Sequence, residues 1–193
     1  MPVTKSLSAG NYQRWVIFPL NFPSFIYLIM SNQTLENLPV LLQEVKTKPL
    51  FVLRLSIAKP QIVGKGPHVN RLVGVAESGS FEGERLSGEV LPGGSDWQAV
   101  GTNGGTLMDC RLILKTTDGE LIAIKYKGIR VNPPAVLSKM EKGEPIGPDE
   151  YYLRIVPVFE TASEKYSWLN NIIAIGIGDR QPTGPTYSIF EVL

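Results

Sequence analysis

FEGERLSGEVLPGGSDWQAVGTNGGTLMDCRLILKTTDG, Phe81–Gly119, decides how the rest of the chain is read. It holds strand-like runs joined by glycine-dense turns, and the flanking sequence repeats the arrangement. Leu50–Ile57 and Arg71–Ser78 precede it, Glu84–Val90 and Thr106–Lys115 lie within it, and Glu120–Ile129, Tyr151–Phe159, Ile172–Gly178 and Thr186–Val192 follow. Short β-rich runs at this spacing, with turn residues between them, predict an all-β sandwich or barrel. Consecutive runs are close enough for hairpins, so the simplest arrangement is a single compact antiparallel up-and-down β-barrel of about eight strands. Closure would leave no exposed edge.

Composition narrows the function. The 193 residues, 43% of them hydrophobic, suffice for one domain with a sizeable core. A formal net charge of +1 without blocks of like charge argues against nucleic acid and against an electrostatic membrane patch. One cysteine, Cys110, excludes an internal disulfide framework, and with one histidine, His68, it cannot build the usual zinc sites. No dinucleotide fingerprint is present, so neither a metal nor a cofactor is expected. These features together favour a cytoplasmic protein.

Residues 1–30 read differently from the rest. Arg14 precedes WVIFPLNFPSFIYLIM, a run shorter than the roughly 20 residues a spanning helix needs and broken by Pro19 and Pro23. The preferred reading is an unordered N-terminal extension, with Met30 as an alternative start. A signal peptide or anchor is the competing reading, although no clean small-x-small cleavage site follows. The domain is then 31–193. Ser31–Thr47 predicts a short helix, capped by Asn32 or Thr34, which Pro39 limits to two short pieces or starts later. Pro133–Gly143, with proline at its start and glycine at its stop, predicts a second helix in a connection long enough to cover a barrel mouth. Thr161-Ala-Ser-Glu164 is a capping box opening a helical turn through Tyr166, Trp168 and Leu169.

Asp118-Gly119 is a preferred pair for a two-residue type I′ hairpin loop. With that loop, Thr117 faces Glu120, Ile113 faces Ile124, Arg111 faces Tyr126 and Asp109 faces Gly128. Asp109, Arg111, Ile113, Ile122, Ile124 and Tyr126 would then share one strand face, and Met108, Cys110, Leu112, Leu114, Leu121 and Ala123 the other.

GERLSGEVLPGGSDWQ, MDCRLILKTTDGELI, DEYYLRIVPVFETASEKYSWLN and the closing YSIFEV resemble a bacterial and fungal family catalogued as domain of unknown function number 3237. The resemblance covers about Leu50 to Leu193. It implies a compact single-domain β-barrel and carries no assigned reaction. Asn103 and Cys110 stand where aspartate and alanine are common in that family.

The polar positions on these motifs are Asp96, Trp97, Asp109, Arg111, Tyr126, Tyr152, Arg154, Glu160 and Asn170. Tyr152, Arg154 and Glu160 alternate onto one face if the strand stays regular past Pro157. Two strands would thus each present an arginine, an acid and a neighbouring tyrosine to a lumen wide enough for one small ligand. The catalytic set is Asp109, Arg111, Tyr126, Tyr152, Arg154 and Glu160: arginines orient a carboxylate or enolate, a tyrosine donates a proton and a carboxylate accepts one. Trp97, Trp168 and Asn170 would contact the ligand, with Trp168 also readable as a core anchor. The opposing reading makes the same charges mutually satisfied salt bridges in a filled barrel. Asp96 is expected to cap its own turn.

The chain is therefore expected to bind a small hydrophobic or aromatic metabolite with an enol, carbonyl or carboxylate group. It would act on it as a cofactor-free cyclase or isomerase, or else hold it as a carrier. An apolar outer face would suit a homo-oligomer.

Overall fold

The computed structural model describes residues 34–102 and 104–193; the expectations for residues 1–30 lie outside them. Thr34–Glu44 belongs to a unit separate from Val45–Leu193. It contains two 3-10 turns, Leu35–Asn37 and Val40–Leu42, divided by Pro39. The helix expected over 31–47 is thus two short pieces, as the proline requires, but neither is α-helical. Among the described residues no helix is long and apolar enough to cross a membrane.

Val45–Leu193 is built from strands β1 (Thr47–Ile57), β2 (Gln61–Lys65), β3 (Asn70–Glu82), β4 (Ser87–Val90), β5 (Ser95–Val100), β6 (Gly105–Thr116), β7 (Leu121–Val131), β8 (Tyr152–Glu160), β9 (Ala174–Gln181) and β10 (Gly184–Val192). All pairings are antiparallel, and β1 pairs with both β10 and β3, which closes the sheet. Two staves of the barrel are broken strands. β1 and β2 lie along successive halves of one edge of β3, and β4 and β5 along successive halves of the other. Counted as staves, the barrel has eight strands and is the expected all-β architecture. The break in the second stave falls at Leu91–Gly94, so Ser95–Val100 is wall and not the turn that its glycines advertise.

The barrel is filled at one end. Phe51 meets Phe81 and Phe159 edge-on, at ring-centroid distances of 5.6 and 5.9 Å. Below them Tyr166 and Leu169, from the segment after β8, are buried against the same cluster. That segment is a turn followed by a 3-10 stretch, Ser167–Asn171; the Thr161 hydroxyl accepts from the Ser163 amide at 3.1 Å without starting an α-helix. Asn170 fastens it, accepting from the Thr161 amide and donating to the Thr161 carbonyl, both at 2.9 Å. The helix expected at Pro133–Gly143 is present as α1 (Pro134–Lys142), ending at Gly143 in the left-handed conformation.

The β6–β7 turn departs from expectation, and the consequences run the length of both strands. Thr116 pairs with Glu120 around a three-residue loop, Thr117-Asp118-Gly119, in which Gly119 donates to the Thr116 carbonyl at 2.9 Å. Only Gly119 has positive φ (92°), whereas a type I′ loop needs it at both central residues. Asp118 is held in place instead by its own side chain, which accepts from the Thr116 hydroxyl (2.5 Å), Tyr166 (2.9 Å) and Lys165 (2.6 Å). The extra loop residue slips the register by one, so Arg111 pairs with Lys125, Cys110 with Tyr126 and Asp109 with Lys127. A slip of one residue turns a strand over relative to its partner. Cys110, Leu112 and Leu114 therefore point inward together with Ile122, Ile124 and Tyr126.

Candidate functional site in the open half of the barrel

Towards the end of the barrel away from the phenylalanines the lumen is hollow. A cavity of about 240 Å³ is lined by residues from most of the wall. Its apolar side is made by Leu55, Ile57, Leu72, Ala76, Met108, Leu112 and Leu153, and its polar side by Asp96, Gln98, Cys110, Tyr126, Arg130 and Tyr187. The rim comes from the β1–β2 corner and the β9–β10 hairpin, including Arg180 and Gln181. No lining residue belongs to α1.

Each polar group is placed by strand alternation. Asp96 and Gln98 are two apart on β5, and the Gln98 amide donates to Asp96 Oδ2 at 2.9 Å. Tyr126 and Arg130 are four apart on β7, with Gly128 between them on the same face. Tyr187 reaches in from β10, its ring centroid 5.7 Å from that of Tyr126. Arg130 donates to the Thr106 hydroxyl at 3.4 Å. Two residues that line this cavity, Asp96 and Arg130, each hold a buried polar atom, Oδ1 and Nε, without a hydrogen-bond partner in the described protein. One accepts and the other donates. Buried polar groups are otherwise nearly always paired, so each such atom calls for an explanation.

The electrostatics follow from burial. Desolvation raises the Asp96 pKa above its ordinary value of 3.8, opposed by the Gln98 hydrogen bond, the Asp109 backbone amide and the Arg130 charge. Burial also raises Tyr126 and Tyr187, so both phenols stay protonated and can serve as donors. The Cys110 thiol is pushed up to about 12, chiefly by burial, which keeps it inert at neutral pH. Arg130 is lowered by burial and by the nearby Arg180, yet a guanidinium remains charged in proteins. The site thus combines a proton acceptor of raised basicity, a fixed cation and two neutral donors over an apolar floor.

Of the residues expected from sequence to form a catalytic face, only Tyr126 lines this cavity. Arg111 and Glu160 are exposed on the outer wall. β8 does stay regular through Pro157, so Tyr152, Arg154 and Glu160 share a face as expected, but it is the outer one. There Arg154 stacks over the Tyr152 ring at 4.8 Å. Together with Trp97, Asp109 and Lys127 these two line a shallow apolar groove outside the barrel. Asp109 Oδ1 is buried there without a partner. The one-residue slip at Asp118 accounts for Asp109 and Arg111 being outside. Trp97 is 52% exposed, its indole donating to Ser95 at 3.2 Å. Trp168 and Asn170 belong to the filled end, Trp168 packing on the core beneath the Arg85 guanidinium at 4.0 Å.

Sequence reasoning missed Asp96, Gln98, Arg130 and Tyr187. Asp96 was expected to cap a turn; it lies in a strand, and its side chain faces the lumen. The signal was present in SDWQAV, where an exposed tryptophan alternates with two polar residues that would share the opposite face. Arg130 was equally legible: extending the β7 run by one residue puts it on the Tyr126 face.

The profile of the family described as "Protein of unknown function (DUF3237)" matches residues 45–192. A UPF0311 protein of Clostridium acetobutylicum is 31% identical over 153 residues, 78% of this chain and 96% of that protein. A UPF0311 protein of Rhodopseudomonas palustris is 31% identical over 149 residues, covering 77% and 97%. Among solved structures, a β-barrel-like protein from Acinetobacter baumannii superposes with a TM-score of 0.69 at 32% identity, covering 81% of this chain and 99% of that one. A conserved protein of unknown function from Rhodopseudomonas palustris gives 0.71 at 29%, covering 78% and 98%. A protein of Penicillium herquei described as an enzyme shares the fold at 19% identity, with a TM-score of 0.59 and coverage of 77% and 95%.

Proposed function

The chain belongs to the DUF3237 family, whose description assigns no reaction, and we propose that this member is a cofactor-independent acid–base enzyme of the cyclase or isomerase type. Its substrate is a small hydrophobic metabolite with an enol, carbonyl or carboxylate group. The observation that carries this reading is the placement of Asp96 and Arg130, each with a buried unpartnered polar atom, in the wall of one cavity of mixed polar and apolar lining. A ligand that presents a proton to the Asp96 carboxylate and an oxygen to the Arg130 guanidinium pairs with both side chains.

In the reaction Asp96 removes a proton from the bound molecule, and its raised pKa makes it a stronger base than an exposed carboxylate. Negative charge that develops on the ligand oxygen faces the Arg130 guanidinium and the phenols of Tyr126 and Tyr187. Those groups are held by the barrel wall before the reaction begins. Asp96 then returns the proton to another atom of the same molecule. The net change is an isomerisation or a ring closure, and neither oxidant nor reductant is needed. That the structurally similar Penicillium herquei protein is described as an enzyme is compatible with a barrel of this shape supporting chemistry.

The test is base-catalysed ring opening of 5-nitrobenzisoxazole, a two-ring apolar probe. Removal of its C3 proton expels the ring oxygen and yields a coloured cyanophenolate. The full chain should open it faster than free acetate at equal carboxylate concentration, and the Asp96→Asn protein should not. Binding of the probe without any rate above background would instead mark the cavity as that of a carrier.

A further inference from the structure

We infer that Gly74 sets the size and flatness of what the cavity accepts, by leaving open a strip of β3 backbone beside Asp96 against which a planar ring lies. The inference rests on the ligand-binding reading above and deepens it.

A glycine in the interior of a strand needs a reason, because it weakens the strand and packs nothing. Two glycines line the cavity, Gly74 and Gly184. Gly184 has a steric reason: a Cβ there would strike the Leu55 carbonyl oxygen at 2.2 Å. The inward glycines of the neighbouring wall are likewise demanded by packing. A Cβ on Gly178 would lie 2.5 Å from Leu153 and 2.6 Å from Tyr187, and one on Gly128 would lie 2.6 Å from Ile155. Gly74 differs from all of these. Its φ is not in the left-handed region, and an added Cβ would meet only the Ile57 Cγ2 methyl, at 3.2 Å. A methyl group at this position asks the Ile57 side chain to give by a few tenths of an ångström, a smaller demand than at the other glycines.

Its location gives the missing side chain a consequence. Gly74 pairs directly across the sheet with Asp96, and Ala76 follows two residues on, also lining the cavity. The two make a flat strip running from the carboxylate towards the apolar floor. Close approach of a ligand to the backbone is one of the uses of a glycine inside a strand, and here the glycine sits beside a buried carboxyl. A flat unsaturated ring fits such a strip, and a branched or puckered one does not.

The experiment is calorimetric titration of the full chain with two planar enol–carbonyl probes that differ by one fused ring, 4-hydroxy-6-methyl-2-pyrone and 4-hydroxycoumarin. Wild type, Gly74→Ala and Gly178→Ala are compared, with melting temperatures measured in parallel. One misplaced methyl group in a pocket is worth about 10–200-fold, so Gly74→Ala should weaken the two-ring probe by roughly tenfold or more and the one-ring probe by clearly less. Its melting temperature should fall clearly less than that of Gly178→Ala. Two results overturn the role of Gly74 while leaving the cavity as a binding site: equal effects on both probes, or a fall in melting temperature matching that of Gly178→Ala. If neither probe binds the wild-type protein, the ligand reading fails and this inference fails with it.

Discussion

Replacing Asp96 by asparagine is the sharpest perturbation available, because it changes charge and basicity while keeping shape. The amide oxygen can still accept the 2.9 Å hydrogen bond from Gln98, so the wall of the cavity should persist. What disappears is the carboxylate as a base. A positioned general base is worth about 10²–10⁴ in rate, and loss of about 100-fold or more in 5-nitrobenzisoxazole opening is expected. The pH profile adds a second reading of the same group. Activity should rise as Asp96 ionises, with a midpoint above 3.8, since burial disfavours the charged form. The stability effect runs the opposite way. A carboxyl whose folded pKa is raised binds its proton more tightly in the native state. Its contribution is therefore fully present below the unfolded pKa and is lost as pH rises through the folded one. The carboxyl thus gains activity over the same pH range in which it loses stability, and Asp96→Asn should flatten both curves. Equal rates in the two proteins, or a midpoint at or below 3.8, would refute the assignment of Asp96 as the base.

Further outcomes follow from the rest of the wall. Leu169→Ala opens a cavity beneath a fully buried side chain and should cost about 2–5 kcal/mol, read by chemical denaturation, without changing the identity of the base in the pH profile. Arg111→Ala and Glu160→Ala lie on the outer face and should leave the ring-opening rate unchanged; a large loss in either would mean that the catalytic surface is outside the barrel. Asp118, held low chiefly by its hydrogen bond to Lys165, contributes stability that is present above its unfolded pKa and lost as pH falls. Acid unfolding of Asp118→Asn should accordingly depend less on pH than that of wild type. Asp109 acts on Asp96 from the far side of the sheet, its charge adding to the raised pKa. Asp109→Asn, which keeps the backbone amide that opposes this effect, should move the activity midpoint down, and an upward shift would count against the coupling.

The barrel was legible in the sequence because hydrophobic alternation is set by burial, and burial is what closes a sheet. The filled end was partly legible for the same reason, through Tyr166 and Leu169. The lumen was not, and the cause is local. Which residues of β6 and β7 share a face depends on whether the loop between them has two residues or three. Sequence shows Asp118-Gly119 as a good two-residue turn, but the choice is made by contacts from elsewhere: Lys165 and Tyr166, nearly fifty residues on, grip Asp118 and favour the longer loop. Tyr126 was recognised as inward because its own strand keeps that alternation whatever the loop. Asp109 and Arg111 were misplaced because theirs was inferred through the turn. At Asp96 the two glycines before it suggested a loop, although they only mark the break in a stave that then continues as wall.

The two ends of the barrel impose different requirements on the same strands, and the reading proposed above puts the chemistry in the open half. At the filled end, inward positions on β1, β3 and β8 carry phenylalanines that meet edge to face, leaving no room for a ligand. A few residues along β3 the inward positions are Gly74 and Ala76, and β5 and β7 bring a carboxyl and a guanidinium to the same cavity instead of hydrocarbon. If stability alone governed these positions, hydrocarbon would be preferred: a buried carboxylate without a full set of partners costs free energy that a leucine would not. A filled end rigid enough to close the barrel can tolerate that cost at the other end. Sites that concentrate unpartnered polar atoms in an otherwise well-packed protein are where binding and catalysis are most often found. On this argument the aromatic cluster and the Asp96–Arg130 cavity are parts of one design, in which the first stabilises the wall that holds the second in an unfavourable but useful state.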